Sequence, residues 1–360
     1  MAFASAFVTG ATGLLGYNLV RLLIERGVRV TALVRSRDKA ARMFGDLDVA
    51  IVEGDMGNVP GFAEHLAGHD VLFHTAAYFR DSYKGGRHRD ALIATNVTAT
   101  EALLGAAYAA GIRRFVHTSS IAVVDGPRGR LIDETMPRRL EDADDYYASK
   151  ILSDRAVRAF LDTHPDVNGC FVGPGFMFGP GDAGPTSAGQ IVLDYARRKL
   201  PGVPPGGFSV VDARDVALAE IAAADKGRRG ELYLAAGRPM TMAELVTVLQ
   251  AATGVPAPKM KVPLAMMYVL GGIEELGKRL FGRPALLSLA AVRMMDREDG
   301  RYRFSAEKAT RELGLSFRPV EETIADVVAW YRQNGWLGAA AAPSGGGQVR
   351  GKAMPFSSNT

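Results

Sequence analysis

The chain has 360 residues, 48% hydrophobic and 23% charged, enough for one large or two modest domains. Lys and Arg number 43 against 39 Asp and Glu, a formal net charge of +4. The paired arginines at 113/114, 138/139, 197/198 and 228/229 are scattered and no basic run carries interleaved aromatics, so a nucleic-acid partner is rejected.

In chain order, Ala6-Phe7-Val8 predicts a first strand that begins almost at once, so no signal peptide is expected. Thr9-Gly10-Ala11-Thr12-Gly13-Leu14-Leu15-Gly16 is a glycine-rich turn that opens the helical pattern of 17–23. A strand, three glycines and a helix in this order build a pyrophosphate site. Gly10 permits the tight turn, Gly13 lets the backbone approach the phosphates, and Gly16 lets the helix pack close to the strand. The phosphate charge then rests on the free N–H groups and positive dipole end of the helix. Further strands are predicted at 28–34, 49–52, 71–74 and 115–117, with helices at 91–110 and 146–161. Short buried strands separated by helices predict an α/β fold with a doubly wound parallel sheet, its ligands gathered beyond the carboxyl ends of the strands.

Pro and Gly become dense from 173 to 207, before a strand at 208–211 and helices at 216–224, 242–253, 264–280 and 320–334. The expected division is a dinucleotide-binding domain over 1–172, to which 207–237 return. A smaller, mostly helical substrate lobe takes 173–206 and 238–337. Residues 338–360, rich in Ala, Gly, Ser and Pro, read as a disordered tail. The apolar stretch that starts at Leu264 is far short of the roughly 20 residues that span a bilayer, so no membrane span is expected. It reads as a buried helix or subunit contact, with a membrane-touching lid as the alternative. The one cysteine, Cys170, excludes an intramolecular disulfide; it sits in an apolar run and suits a reducing, cytoplasmic setting.

Tyr146 and Lys150 stand four apart, so on a helix their side chains share a face. A phenol titrates near 10, and a neighbouring ammonium favours the phenolate, which gives Tyr146 a general acid/base role. Lys150 is also able to bond a cofactor ribose. Tyr147 lacks a lysine at its own fourth position, where Ile151 sits. Thr118-Ser119-Ser120 ends the strand at 115–117, so its hydroxyls emerge where the ligand is expected. A hydroxyl there can donate to a carbonyl oxygen as charge develops on it, or simply cap the strand end. Spacing alone does not choose among the three.

Taken in order, the glycine loop, Gly54-Asp55-Met56, His74-Thr75-Ala76-Ala77, Asn96-Val97, Thr118-Ser119-Ser120, Tyr146 with Lys150, and Pro174-Gly175 through Gly179-Pro180-Gly181-Asp182 make a specific set. On these the chain resembles the extended short-chain dehydrogenase/reductases of the NAD-dependent epimerase/dehydratase superfamily, and within them the dihydroflavonol-reductase-like branch. The resemblance implies a Rossmann-type sheet with the smaller lobe beside it, and catalysis by Ser120, Tyr146 and Lys150 without a metal. It implies cofactor contacts from Gly10, Thr12, Gly13, Leu14, Leu15, Asp55, Met56, Thr75, Ala76, Ala77, Asn96, Thr118, Tyr146, Lys150, Pro174 and Gly175. Asp55 then holds the adenine amino group, with a turn-forming role before Gly57 as the alternative. Asn96 supports the site through the helix backbone, where a capping or packing Asn would look identical. Many relatives carry Arg where this chain has Gly173, which counts against sugar-nucleotide chemistry.

The second strand ends Leu33-Val34-Arg35-Ser36-Arg37, with no carboxylate until Asp38. Arg35 is able to pair with a 2′-phosphate through its planar fork, so NADP(H) is favoured over NAD(H), with a plain surface arginine as the alternative. The expected activity is reversible reduction of a ketone or aldehyde of a small, fairly apolar substrate to the alcohol. Expected pocket walls are Tyr78-Phe79, Tyr83, Phe176-Met177-Phe178 and part of 190–195, with ordinary core packing as the alternative. The runner-up is a sugar-nucleotide epimerase holding NAD tightly. A dehydratase fits less well, because Ile121-Ala122 stands where such enzymes carry an acidic pair. A non-catalytic redox sensor fits least, because the Tyr–Lys pair is present. The oligomeric state is left open between a homodimer and a monomer: relatives often pair through helices matching 91–110 and 146–161, and monomers also occur among them.

Overall fold

The computed structural model describes residues 2–45, 47–79, 88–281 and 289–338. The chain begins β1 (Ser5–Thr9), α1 (Leu14–Glu25), β2 (Arg29–Val34), α2 (Arg37–Phe44), β3 (Ala50–Glu53) and β4 (Val71–His74). It continues α3 (Arg89–Ile93), α4 (Ala99–Ala109), β5 (Arg114–Thr118), α5 (Asp145–Thr163), β6 (Asn168–Pro174), β7 (Phe176–Phe178) and α6 (Ser187–Ala196). Then come β8 (Gly207–Asp212), α7 (Ala213–Lys226), β9 (Leu232–Ala235), β10 (Arg238–Thr241) and α8 (Met242–Thr253). The described elements end with α9 (Leu264–Phe281), α10 (Leu289–Arg297), α11 (Glu307–Leu313) and α12 (Val320–Gln333).

Seven parallel strands form one sheet in the order β3-β2-β1-β4-β5-β6-β9. Side chains alternate across it. Ala6, Val8, Val71, Phe73, Val116, Cys170 and Val172 pack on the α1/α7 face. Phe7, Leu72, Phe115 and Phe171 pack on the α4/α5 face. Both faces are dry, which is why these strands read as short continuous apolar runs rather than as an alternating pattern. This is the doubly wound Rossmann-type architecture that the sequence predicts. Cys170 lies within it, its thiol pushed up to about 12 by burial and therefore unreactive.

Two readings change. The helix expected over 91–110 is split into α3, a π-helical turn at Ala94–Thr98 and α4. The inserted turn swings Asn96 inward, and Thr100 Oγ1 donates to the Asn96 carbonyl at 2.8 Å. The strand at 208–211 is β8, and it belongs to a separate sheet of order β10-β8-β7. Gly175 makes the crossing between the sheets: a Cβ there would lie 2.5 Å from the Ser209 carbonyl and 2.6 Å from that of Ala236. The chain therefore rejoins the large sheet through α7 and β9, not from 207. Phe178, Val192, Leu193 and Tyr195 form a third core with α8 and α12. The C-terminal region is otherwise helical, and no described helix is long and apolar enough to cross a membrane. Tyr83 and the segment after 338 lie outside the described residues.

Candidate active site

The strand order reverses about β1, between β2 and β4, and the loops after β1 and β4 meet at that switch point. Gly10 has φ +67°, and a Cβ on it would lie 2.7 Å from the Ala76 nitrogen. Thr75 Oγ1 donates to the Thr9 carbonyl at 2.7 Å, and the Ala76 N–H donates to Thr9 Oγ1 at 3.3 Å. Gly16 packs on the loop, where a Cβ would come 2.3 Å from the Gly10 carbonyl. Gly13 is the N-cap of α1 and supplies no capping side chain. Its Cβ position meets only the Gly10 oxygen, at 3.2 Å, so the space before the helix is open. Open space, uncapped N–H groups at Leu14 and Leu15, and a positive dipole end fit a dinucleotide pyrophosphate.

At the end of β2 Arg35 is exposed, and Arg37 pairs with Glu53 at 3.3 Å. Lys39, in the first turn of α2, donates Nζ to the Thr12 carbonyl at 2.8 Å. Sequence reasoning passed over Lys39. Its signal was the basic density of Arg35-Ser36-Arg37-Asp38-Lys39, which a search for one acidic residue ignores. Asp55 accepts from the Gly57 N–H at 2.8 Å, the turn-forming geometry set against the adenine role. Met56 is buried in the α4-side core.

The three hydroxyls after β5, indistinguishable by spacing, point to three different partners. Thr118 Oγ1 donates to Glu220 Oε1 at 2.7 Å. Ser119 Oγ donates to Asp154 Oδ2 at 2.6 Å. Ser120 bonds the Tyr146 phenol and also accepts from the Ala122 N–H at 3.1 Å. Asp144 caps α5 by accepting from the Tyr147 N–H at 2.8 Å, so Tyr146 and Lys150 both fall in its first turns. Lys150 is buried, and Nζ donates to the Thr118 carbonyl at 2.7 Å. Burial lowers its ammonium, against the pull of Asp154 and Glu220.

Tyr146 departs from the expectation drawn from its spacing to Lys150. Burial, not the ammonium, dominates, and pushes the phenol up to about 12, with the Ser120 bond working the other way. The Phe79 ring centroid lies 4.8 Å from that of Tyr146. Tyr147 turns elsewhere, under the Arg138 guanidinium at 4.7 Å. Of the other expected walls, Phe176 stacks on Phe208 at 4.4 Å, while Phe178, Val192, Leu193 and Tyr195 are core.

Asn96 braces these parts. Its Oδ1 accepts from the Tyr78 N–H at 2.7 Å, and Nδ2 donates to Ser149 Oγ at 3.0 Å, the residue before Lys150. Beneath lie His74, between Thr9 and Thr100 at 2.8 and 2.9 Å, and His117, 3.4 Å from Asp154. Burial drives both imidazoles below their usual value, so both stay neutral. Pro174 ends β6, and the Gly175 N–H donates to the Ala235 carbonyl at 3.0 Å.

A parallel sheet with a glycine loop at its switch point, and a Tyr, a Lys and a Ser hydroxyl at its carboxyl edge, is the build of a nicotinamide-dinucleotide oxidoreductase. The model of the NAD dependent epimerase/dehydratase family matches residues 6–236, and the chain belongs to that family as an NAD(P)-dependent enzyme of the extended short-chain dehydrogenase/reductase type. It is 34% identical over 336 residues to sterol demethylase protein B of Methylococcus capsulatus, covering 92% of this chain and 100% of that one. A Synechocystis protein assigned provisionally as a dihydroflavonol 4-reductase is 32% identical over 339 residues, 92% and 95% of the two chains. The yeast methylglyoxal/isovaleraldehyde reductase Gre2, solved with NADPH, shares the fold with a TM-score of 0.72 and 20% identity, over 92% of this chain and 99% of that one.

Proposed function

We propose that the protein is a reversible, NADP(H)-dependent carbonyl reductase acting on a small, fairly apolar ketone or aldehyde. The observation that carries this reading is the meeting of the Ser120 hydroxyl with a phenol held protonated, at about 12, beside the apolar face of Phe79. Ser120 and Tyr146 bond the substrate oxygen, and Tyr146 delivers its proton as negative charge forms there. Lys150, one helical turn beyond Tyr146 and fixed on the Thr118 carbonyl, supplies a positive charge to the site. When bound, the nicotinamide supplies the hydride in reduction and accepts it in the reverse direction.

The glycine loop of Gly10, Thr12, Gly13, Leu14 and Leu15 holds the pyrophosphate, with Thr75, Ala76 and Ala77 closing its far side. Arg35, aided by Lys39, receives the 2′-phosphate. The large sheet carries the cofactor, and the smaller lobe covers the substrate. Phe79 against Tyr146 and a relative named for sterol demethylation both favour an apolar substrate over a sugar nucleotide.

The test is to denature the purified protein, identify any released nicotinamide by mass spectrometry, and titrate the intact protein with NADPH and NADH. An empty protein that prefers NADPH, and loses about tenfold or more of that affinity in Arg35→Ala with NADH unaffected, supports the reductase. Tightly held NAD that survives purification points to a sugar-nucleotide epimerase instead.

A further inference from the structure

We propose that Glu220 is a buried carboxyl that positions Thr118 and is coupled to Lys150 through it, joining Asp154 in favouring the ammonium once Glu220 ionises. Glu220 lies on α7, on the opposite side of the large sheet from α5, and has no exposed surface. One oxygen accepts from Thr118 Oγ1 at 2.7 Å, and the carbonyl of the same threonine accepts from Lys150 Nζ at 2.7 Å. Thr118 thus bridges a carboxyl and an ammonium through its two oxygens. The second Glu220 oxygen receives no hydrogen bond among the described residues. Among the described residues, Lys150 is the cation that favours its ionised form, against burial.

The other charged groups on the elements around α7 are engaged elsewhere. On α1, Arg21 bonds Tyr17. On β5, Arg114 bonds the Ala2 carbonyl, and on β8 Asp212 pairs with Arg214. On β9 and α11, Tyr233 bonds Glu312, Lys308 pairs with Glu231, and Arg311 pairs with Glu307 and Glu312. On α7 itself, Asp215 pairs with Arg318, and Asp225 and Lys226 bond the backbone at Ala2 and Leu313. On β6, Cys170 is a neutral thiol. Asp154, on the Lys150 face of α5, favours the ammonium more strongly than Glu220 does; it accepts from Ser119 Oγ at 2.6 Å and lies 3.4 Å from His117, so Glu220 acts beside it from the other side of the sheet.

Burial pushes the Glu220 carboxyl up to about 8, with Thr118 and Lys150 working the other way. Once ionised, it raises the Lys150 ammonium that burial depresses. Glu220 acts through Thr118 and Lys150 and is a positioning residue. Its kinetic consequence rests on the role proposed for Lys150; the coupling itself does not.

The coupling is read on the cofactor-free protein by an infrared pH titration of the protonated-carboxyl band. The expected result is a band that titrates near pH 8, vanishes in Glu220→Gln, and moves to higher pH in Lys150→Met, where the opposing charge is gone. A band unchanged by Lys150→Met overturns the proposal whatever the enzyme's activity. In turnover, Glu220→Gln keeps an acceptor for Thr118 but loses the charge, so the alkaline limb of kcat/KM moves down by about one pH unit. Glu220→Leu lowers kcat/KM further. If both variants keep the wild-type pH profile, the residue only packs and the proposal fails. A fully active Tyr146→Phe would sink the catalytic reading and leave the infrared result standing.

Discussion

At the scale of single residues, the two adjacent tyrosines face different fates. Tyr146 bonds Ser120 and touches Phe79, whereas Tyr147 sits under Arg138 with its phenol raised well above the usual value. Tyr146→Phe is therefore expected to lower kcat by about 10²–10⁴-fold, the usual worth of a positioned acid. NADPH binding in that variant should survive, because the glycine loop is untouched. Tyr147→Phe should leave turnover within a few-fold. Steady-state kinetics with a fluorescence titration separates the two, and equal losses from both would sink the assignment.

Among elements, the joint between α1 and the loop after β1 has no room for a side chain. A Cβ on Gly16 would stand 2.3 Å from the Gly10 carbonyl and 2.7 Å from the Ala11 Cα, both backbone atoms that cannot swing aside. Gly16→Ala should cost about 1–3 kcal/mol, read as a lower urea midpoint, and should weaken dinucleotide binding because the uncapped end of α1 is displaced. A Gly111→Ala control strains only its own φ of +91° and meets nothing within 4 Å. Unchanged binding in Gly16→Ala would show that the helix end does not hold the phosphates.

Over the whole molecule, two buried devices tie the layers together. Arg138 bonds Glu298 at 3.1 Å through both terminal nitrogens and the Ala122 carbonyl at 2.9 Å, joining the segment after Ser120 to the end of α10. Arg138→Ala strands the Glu298 carboxylate and is expected to cost about 3–5 kcal/mol. Replacing both partners with Met should cost less, a comparison that denaturant midpoints decide. The second device is the neutral imidazole pair under the sheet's carboxyl edge, His74 and His117, whose rings lie 5.4 Å apart. Both titrate below the usual 6.5 because burial disfavours their charge. Below about pH 6.5 the unfolded chain binds protons that the folded one does not. Stability should then fall by up to about 1.4 kcal/mol per pH unit for each ring, and be independent of these groups above that range. Urea midpoints at about pH 7.5 and pH 5.5 test this, with the slope reduced in His74→Gln. A slope that the variant leaves unchanged would assign the effect to other groups.

What the sequence determined by itself is local and periodic. The glycine loop, the apolar strands and the four-residue spacing of Tyr146 and Lys150 are constraints on neighbouring backbone, and they define the doubly wound sheet and its ligand edge. The π-helical turn at Ala94–Thr98 was hidden, because one inserted residue leaves the apolar stripe almost intact. The sheet that β8 joins was hidden for a different reason: strand pairing is a long-range choice that a four-residue run does not encode. The same holds for the hydroxyls after β5. Thr118, Ser119 and Ser120 are alike in sequence, and they differ only because α7 brings Glu220, and α5 brings Asp154 and Tyr146, to separate sides of one strand end. Tertiary packing also reversed the expected shift of Tyr146, since desolvation depends on every layer that covers the ring, while spacing reports only the nearest charge.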